Sequence, residues 1–116
     1  MTDGSDRLEL GRAAFNRGEY FLAHELWEQV WREIADADRI CVQGLIQIAA
    51  GLHHLQKLRR RPATGLLRKG LEKLARDRRG SAVHLRIDLL AGHVARLLRE
   101  LDAPGAAVAD SSYVRL

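Results

Sequence analysis

The feature that most constrains the fold is the stretch of residues 40–58, where apolar side chains occur at nearly every angle of a helix. A helix that is hydrophobic all round is buried on all sides, so this stretch predicts a central helix that Asp36 or Asp38 would cap. Gly44 and Gly51 are seven residues apart and share one side of that helix. We expect a neighbouring helix to approach closely there.

Four further helices are predicted around the central one. Their expected bounds are residues 6–17, 19–35, 62–78 and 82–102. Gly18 is a typical helix stop, Pro62 suits the first position of a helix, and Ser81 can cap the last helix. Gly65 and Gly70 each disfavour a helix interior, which suggests that a neighbour packs closely against both.

The fold class follows from these segments. No alternating segment of strand length occurs, so we predict an all-α, compact single-domain bundle of about five helices with a buried third helix. The domain spans residues 1–116, with a core of about 6–102. Residues 103–116 read as a C-terminal tail that docks through Tyr113 and Leu116.

Composition narrows the cellular setting. The single cysteine, Cys41, excludes an internal disulfide, fits a reducing compartment, and lies in an apolar run typical of a buried thiol. No run approaches the roughly 20 apolar residues of a membrane span. The polar start of the chain lacks an apolar signal region. We therefore expect a cytoplasmic protein without a membrane partner.

The net charge of +4 is concentrated in residues 57–79, which hold ten Lys and Arg against two acids. Such a block can bind phosphates, or it can be a solvated face whose cations offset helix dipoles. No aromatic residue interleaves the cations, so a nucleic-acid partner is not expected. The anion-binding candidates are Arg59, Arg60, Arg61, Arg68 and Lys69.

The second predicted helix concentrates aromatic and ionisable side chains. At about 100° per residue, Tyr20, His24, Glu28 and Trp31 fall along one stripe. A histidine and a carboxylate are thus expected within the aromatic face. The sequence His-Glu-x-x-Glu at residues 24–28 is one residue away from a zincin motif, but the second histidine is absent.

A family resemblance rests on two motifs. Residues 15–31 read F-N-x-G-E-Y-F-x-A-H-E-x-W-E-x-x-W, and residues 43–53 read Q-G-L-I-Q-x-A-A-x-x-H. Over roughly residues 12–76 the chain resembles the small bacterial and archaeal family catalogued as domain of unknown function 309. The resemblance implies a compact all-helical domain but no activity. The matched signature positions are Gly18, Tyr20, His24, Glu25, Glu28, Trp31, Gln43, Gly44, Gln47 and His53.

These residues define the candidate site. Its ligand-pocket candidates are Tyr20, His24, Glu25, Glu28, Trp31, Gln43, Gln47 and His53. The favoured hypothesis is a buried polar network in which His24 and Glu28 bond each other, the two glutamines and a histidine of the 53–54 pair.

Two alternatives at the same cluster stay open. The first is a small-molecule pocket of a hydrolase-like enzyme, in which His24 acts as acid or base and Glu28 orients it. The second is a metal site, for which His24, Glu28 and His53 are weak candidates. The sequence favours a non-catalytic domain without a metal or other cofactor. A protein partner docking on the first helix pair, or a homo-oligomer, also stays open.

Overall fold

The computed structural model describes residues 4–34, 36–76, 86–103 and 111–116. Its helices are α1 (Gly4–Asn16), α2 (Tyr20–Glu33), α3 (Asp36–Gln56), α4 (Arg60–Arg76) and α5 (Ile87–Asp102). Within those ranges no residue adopts a strand. The prediction of an all-α bundle of about five helices is confirmed.

Each helix packs against the next one along the chain: α1 on α2, α2 on α3, α3 on α4, and α4 on α5. The third helix lies between α2 and α4 and contributes more buried residues than any other helix described. Leu45, Ile48 and Leu52 of α3 are fully withdrawn from solvent. The predicted central position of α3 is therefore confirmed.

Glycines set the contact between α3 and α4. A Cβ atom added to Gly44 would lie 3.0 Å from the Gly70 carbonyl oxygen, and one added to Gly51 would lie 2.9 Å from Cγ of Leu67. The close approach predicted at Gly44, Gly51 and Gly70 is thus present. The same prediction is wrong for Gly65, which is exposed and has no heavy atom within 4 Å of its Cβ position, because it lies on the outer side of α4.

Some helix ends differ from their predicted positions. Helix α4 begins at Arg60, so Pro62 occupies its third position rather than its first. The change is tolerated because the amides of the first turn have no partner within the helix. Helix α5 begins at Ile87 after Arg86, whose side chain makes no capping bond. The predicted cap Ser81 lies outside the described residues.

Two helix ends share one hydrogen-bond pattern. After α1, the amide of Glu19 donates to the Ala14 carbonyl (2.9 Å) and Gly18 has a φ of 83°. After α3, the amide of Arg59 donates to the His54 carbonyl (2.9 Å) and Leu58 has a φ of 60°. Both are Schellman ends, with glycine in the left-handed position of the first and leucine in that of the second.

The C-terminal segment 111–116 docks on α1. Asn16 exchanges two hydrogen bonds with the backbone of Leu116: its Nδ2 donates to the carbonyl (2.8 Å), and its Oδ1 accepts from the amide (2.9 Å). Nε of Arg12 donates to the same carbonyl at 2.7 Å. Leu116 is buried and Tyr113 packs at the edge of the core, as expected of the tail.

Candidate functional site

The buried stripe of α2 differs from the predicted one. Tyr20, Ala23, Trp27 and Val30 are buried, and Nε1 of Trp27 donates to the Leu8 carbonyl of α1 at 3.2 Å. The helix is therefore rotated so that Trp27 points into the core. The other predicted stripe residues consequently move to the edge of the contact between α2 and α3.

This rotation leaves the polar cluster half-exposed, not buried. The side chains of His24 and Glu28 are 28% and 42% exposed, respectively. Among the described residues, no polar or charged one is classed as buried. The expected burial of the network is therefore corrected: water reaches its central pair, and the polar groups border surface clefts.

One of these clefts, the imidazole cleft, is lined by Phe21 and His24 of α2 and by Ala50, His53 and His54 of α3, and has a volume of about 190 Å³. The Phe21 ring lies 5.4 Å from the His53 ring, nearly perpendicular to it, and 5.9 Å from the His24 ring. These are ordinary distances for interacting aromatic rings. The cleft thus brings His24 and His53 to one apolar ring.

The second cleft, the amide cleft, lies further along the same helix pair. It is lined by Glu28, Trp31, Gln43, Ile46 and Gln47 and has a volume of about 220 Å³. The carbonyl of the Gln47 side chain accepts a hydrogen bond from Nζ of Lys73 at 2.9 Å. The amide of Gln47 is therefore held from α4, and not by His24 or Glu28 as predicted.

The other two pocket candidates lie elsewhere. Tyr20 is buried at the start of α2 and borders a different cleft, near the α1–α2 turn. Glu25 is exposed and lines neither the imidazole cleft nor the amide cleft. The eight predicted residues thus separate into two adjacent clefts and two outlying positions.

The pair at the centre of the prediction is loosely coupled. Nε2 of His24 and Oε1 of Glu28 are 3.6 Å apart, one helical turn from each other. General acid–base catalysis uses contacts of about 2.6–3.2 Å. The His24–Glu28 distance is longer than a hydrogen bond, so Glu28 does not orient the imidazole in this structure.

Electrostatics favour a neutral imidazole at His53. Burial lowers the pKa of His53 below its usual value, and the positive charges of Lys57, His54, Arg59 and His24 lower it further. A neutral imidazole has one hydrogen-bond donor and one acceptor. The imidazole cleft can therefore offer both to a ligand near neutral pH.

The described residues contain no group of three or more His, Cys, Asp or Glu placed so that it could hold a metal ion. Of the three weak metal candidates, His24 and His53 line the imidazole cleft and each contacts the Phe21 ring, whereas Glu28 lines the amide cleft. The three side chains do not converge on one point.

Three of the five basic candidates, Arg60, Arg61 and Arg68, line one cleft together with Leu101 and Asp102, whereas Arg59 and Lys69 do not line it. Arg59, Arg61 and Lys69 are exposed. Arg60 donates to the carbonyl of Leu101, and Arg68 forms a 2.6 Å ion pair with Asp102 of α5. Two of the five cations therefore tie α4 to α5.

Sequence patterns alone missed two features of the clefts. The first is Phe21, which is 47% exposed and lines the imidazole cleft. The guanidinium carbon of Arg39 lies 3.8 Å from the centre of the Trp31 ring, a cation–π contact between α2 and α3. The position of Phe21, three residues before His24, could have indicated that the two rings share one face of α2. The contact between Arg39 and Trp31 can be identified only once the packing of α2 on α3 is known.

Two nitrogens beside the clefts are withdrawn from solvent without a hydrogen-bond partner in the described part of the chain. They are Nε1 of Trp31 and Nδ1 of His54. An unpaired buried donor or acceptor costs about 1–3 kcal/mol. Both clefts thus have an unsatisfied polar atom in their walls.

Comparison with known proteins gives one assignment. No described helix is both long enough and apolar enough to cross a membrane. No curated protein and no solved structure matches the chain significantly. A family model described as "Domain of unknown function (DUF309)" matches residues 8–66, which include α2, α3 and all residues of both clefts. The chain is therefore an all-helical member of the DUF309 family, whose function is unassigned.

Proposed function

We propose that this domain is a non-catalytic binding module whose imidazole cleft takes up a small, uncharged, planar molecule. The observation that supports this most directly is the arrangement of three rings, those of Phe21, His24 and His53, around an open space of about 190 Å³. Ligand sites are typically apolar concavities with a few placed polar groups. This cleft has that composition.

The ligand class follows from the walls of the cleft. Phe21 and Ala50 offer apolar surface, while His53, with its lowered pKa, offers a neutral donor and acceptor. An aromatic or heteroaromatic ring with one hydrogen-bonding group matches both. In its neutral form His53 offers a ligand hydrogen bonds but no ionic contact.

Catalysis is not part of the proposal. In the hydrolase-like alternative Glu28 would orient the His24 imidazole, and these two groups are 3.6 Å apart, beyond a hydrogen bond. No metal is proposed either, because His24, His53 and Glu28 point to two different clefts. Elemental analysis of protein purified without a histidine tag should find less than one equivalent of zinc, iron or manganese. One full equivalent that is lost in His24→Ala would contradict this.

The proposed setting is the cytoplasm. Cys41 is the single cysteine of the sequence and is fully buried in the core, which suits a reducing compartment. A sequence-specific nucleic-acid partner is not proposed, because Arg60 and Arg68 bond α5 and no aromatic platform accompanies the basic residues. Binding of nucleic acid that stays sequence-selective at physiological salt would overturn this part of the proposal.

A fragment screen tests the imidazole cleft. Small heteroaromatic compounds are titrated against the protein while the ring protons of its histidines are followed by nuclear magnetic resonance. Hits should shift the signals of His24 and His53, and Phe21→Ala should weaken binding about tenfold, because a stacked ring contact is worth about 0.5–1.5 kcal/mol beyond the apolar area lost.

Leu22→Ala is the matched control. Leu22 is adjacent in sequence and similarly exposed, but it does not line the cleft. Its removal should leave affinity unchanged. Equal losses in Phe21→Ala and Leu22→Ala, or hits that move no histidine signal, would exclude the imidazole cleft as the binding site.

A further inference from the structure

A third cleft lies between the α1–α2 turn and the C-terminal segment 111–116. Its volume is about 380 Å³, larger than the imidazole cleft. The polar side chains in its wall are those of Asn16, Arg17, Gln56, Ser111, Ser112 and Arg115, with Tyr20 beside them. We call it the tail cleft. No sequence pattern indicated it, because its two walls are nearly the whole chain apart.

Both walls of the tail cleft are held in place. Asn16 and Leu116 exchange two hydrogen bonds, and Nε2 of Gln56 donates to the Gly18 carbonyl at 2.8 Å. Val114 and Leu116 are buried in the core. The buried residues Val114 and Leu116 therefore anchor the C-terminal segment on both sides of Arg115. Because the backbone is already held there, ligand binding would cost little conformational entropy.

The lining of the tail cleft is cationic. Among the described residues that line it, the ionised side chains are the guanidiniums of Arg17 and Arg115, and none is a carboxylate. Arg17 is paired with Glu19, at 2.5 Å and 2.7 Å, and both side chains are more than half-exposed. The guanidinium of Arg115 has no ion-pair partner among the described residues.

We propose that the tail cleft binds a small phosphate-bearing solute, with Arg115 as the main contact. Guanidinium groups present a planar fork of donors that matches phosphate oxygens, and charge-assisted bonds of this kind are about twice as strong as neutral ones. The hydroxyl of Ser111 adds a further donor. Arg17 joins the site when it exchanges Glu19 for the ligand.

Phosphate suits this lining better than a carboxylate. Two guanidiniums and the Ser111 hydroxyl supply more donors than the two oxygens of a carboxylate can accept in one plane, whereas a phosphate group has three terminal oxygens in a tetrahedral arrangement. The site shares no lining residue with the imidazole cleft. The phosphate site can therefore be tested independently of the ligand site proposed in the imidazole cleft.

The test is a titration of the full chain with inorganic phosphate and pyrophosphate at low salt, by calorimetry and by amide nuclear magnetic resonance. Binding should shift the amide signals of residues 111–116, and Arg115→Gln should weaken it at least about tenfold, as expected for loss of a charged hydrogen-bond donor. Acetate, titrated in parallel, should bind more weakly than phosphate.

Two matched pairs of variants separate a site from general electrostatics. Arg76→Gln removes the same charge from an exposed arginine of α4, outside the tail cleft, and should leave affinity unchanged. Glu19→Gln should tighten binding because it releases Arg17, whereas Glu72→Gln, which frees Arg76, should not. The proposal would be overturned if the two variants of either pair changed the phosphate affinity equally. It would also be overturned if acetate bound as tightly as phosphate, or if no saturable binding occurred at millimolar phosphate.

Discussion

At the scale of single residues, Leu58 is the strained position among the residues that the structure describes. It has a φ of 60° at the end of α3, although it is neither Gly nor Asn, and its side chain is 70% exposed. The left-handed conformation costs about 1–2 kcal/mol for a residue with a Cβ atom. Glycine would remove that cost but lose about 0.5–1 kcal/mol through chain entropy. We expect Leu58→Gly to raise the free energy of unfolding by about 0.5–1 kcal/mol in urea denaturation.

Gly18 provides the reverse experiment, because it occupies the equivalent position at the end of α1. Its φ is 83°, and a Cβ atom there would be no closer than 3.8 Å to its nearest neighbour. Gly18→Ala should therefore lower the free energy of unfolding by about 1 kcal/mol through backbone strain alone. If Leu58→Gly destabilised the protein instead, contacts of the leucine side chain would outweigh the strain.

His53 makes stability depend on pH in a defined direction. Its pKa in the folded protein is lowered, first by burial and then by nearby positive charge, whereas in the unfolded chain it is about 6.5. The unfolded chain thus binds more protons as pH falls through 6.5, so stability decreases from there until pH passes below the folded pKa. His53→Gln should lose less of its melting temperature between pH 7.5 and pH 5 than wild type does.

His93→Gln is the control for that measurement, because His93 contacts Tyr113 and the Arg115 amide, away from the imidazole cleft. Its pH dependence should match that of wild type more closely than that of His53→Gln. Wild-type behaviour in His53→Gln would show that other groups determine the acid sensitivity.

At the scale of helices, α3 supplies the centre of the core. Ile48 is fully buried, and its Cγ1 atom would lie 2.6 Å from a Cβ atom on Gly70. Ile48→Ala should lower the free energy of unfolding by about 2–5 kcal/mol because it removes buried methyl groups and leaves a cavity. Leu22→Ala, at an exposed position of α2, should cost less than about 0.5 kcal/mol. A loss below 0.5 kcal/mol for Ile48→Ala would show that α3 is not central.

The helices also show how far the sequence alone leads. The burial of α3 was predictable because a helix that is apolar on every side has only one stable environment. The rotation of α2 was not, because Trp27 and Trp31 both suit a core and only packing against α1 decides between them. Because Trp27 is the tryptophan that is buried, His24 and Glu28 line surface clefts and do not lie in the predicted interior. Gly65 and Gly70 are likewise equivalent in sequence, and only Gly70 faces α3.

At the scale of the whole molecule, the distribution of the candidate sites depends on contacts between distant segments. The imidazole and amide clefts lie within the matched family region, residues 8–66. The tail cleft has one wall in that region and one in residues 111–116. A pattern search along the chain detects the first kind of site through its motifs. The second kind becomes visible only when the tail docks.

Asn16 closes the molecule by joining α1 to the C-terminal segment, and it gives the last prediction. Asn16→Ala removes both side-chain bonds to Leu116 and leaves the amide of that buried residue without its partner. The expected loss is about 1–3 kcal/mol of unfolding free energy, the cost of an unsatisfied buried group. Hydrogen exchange at the amides of Val114 and Leu116 should speed up in the same variant.

Gln56→Ala is the control, because it removes a hydrogen bond to the Gly18 carbonyl but leaves the tail attached. Exchange at the amides of Val114 and Leu116 should therefore stay slow in Gln56→Ala. Unchanged exchange in Asn16→Ala would mean that the burial of Val114 and Leu116, together with the hydrogen bond from Arg12, holds the tail without Asn16.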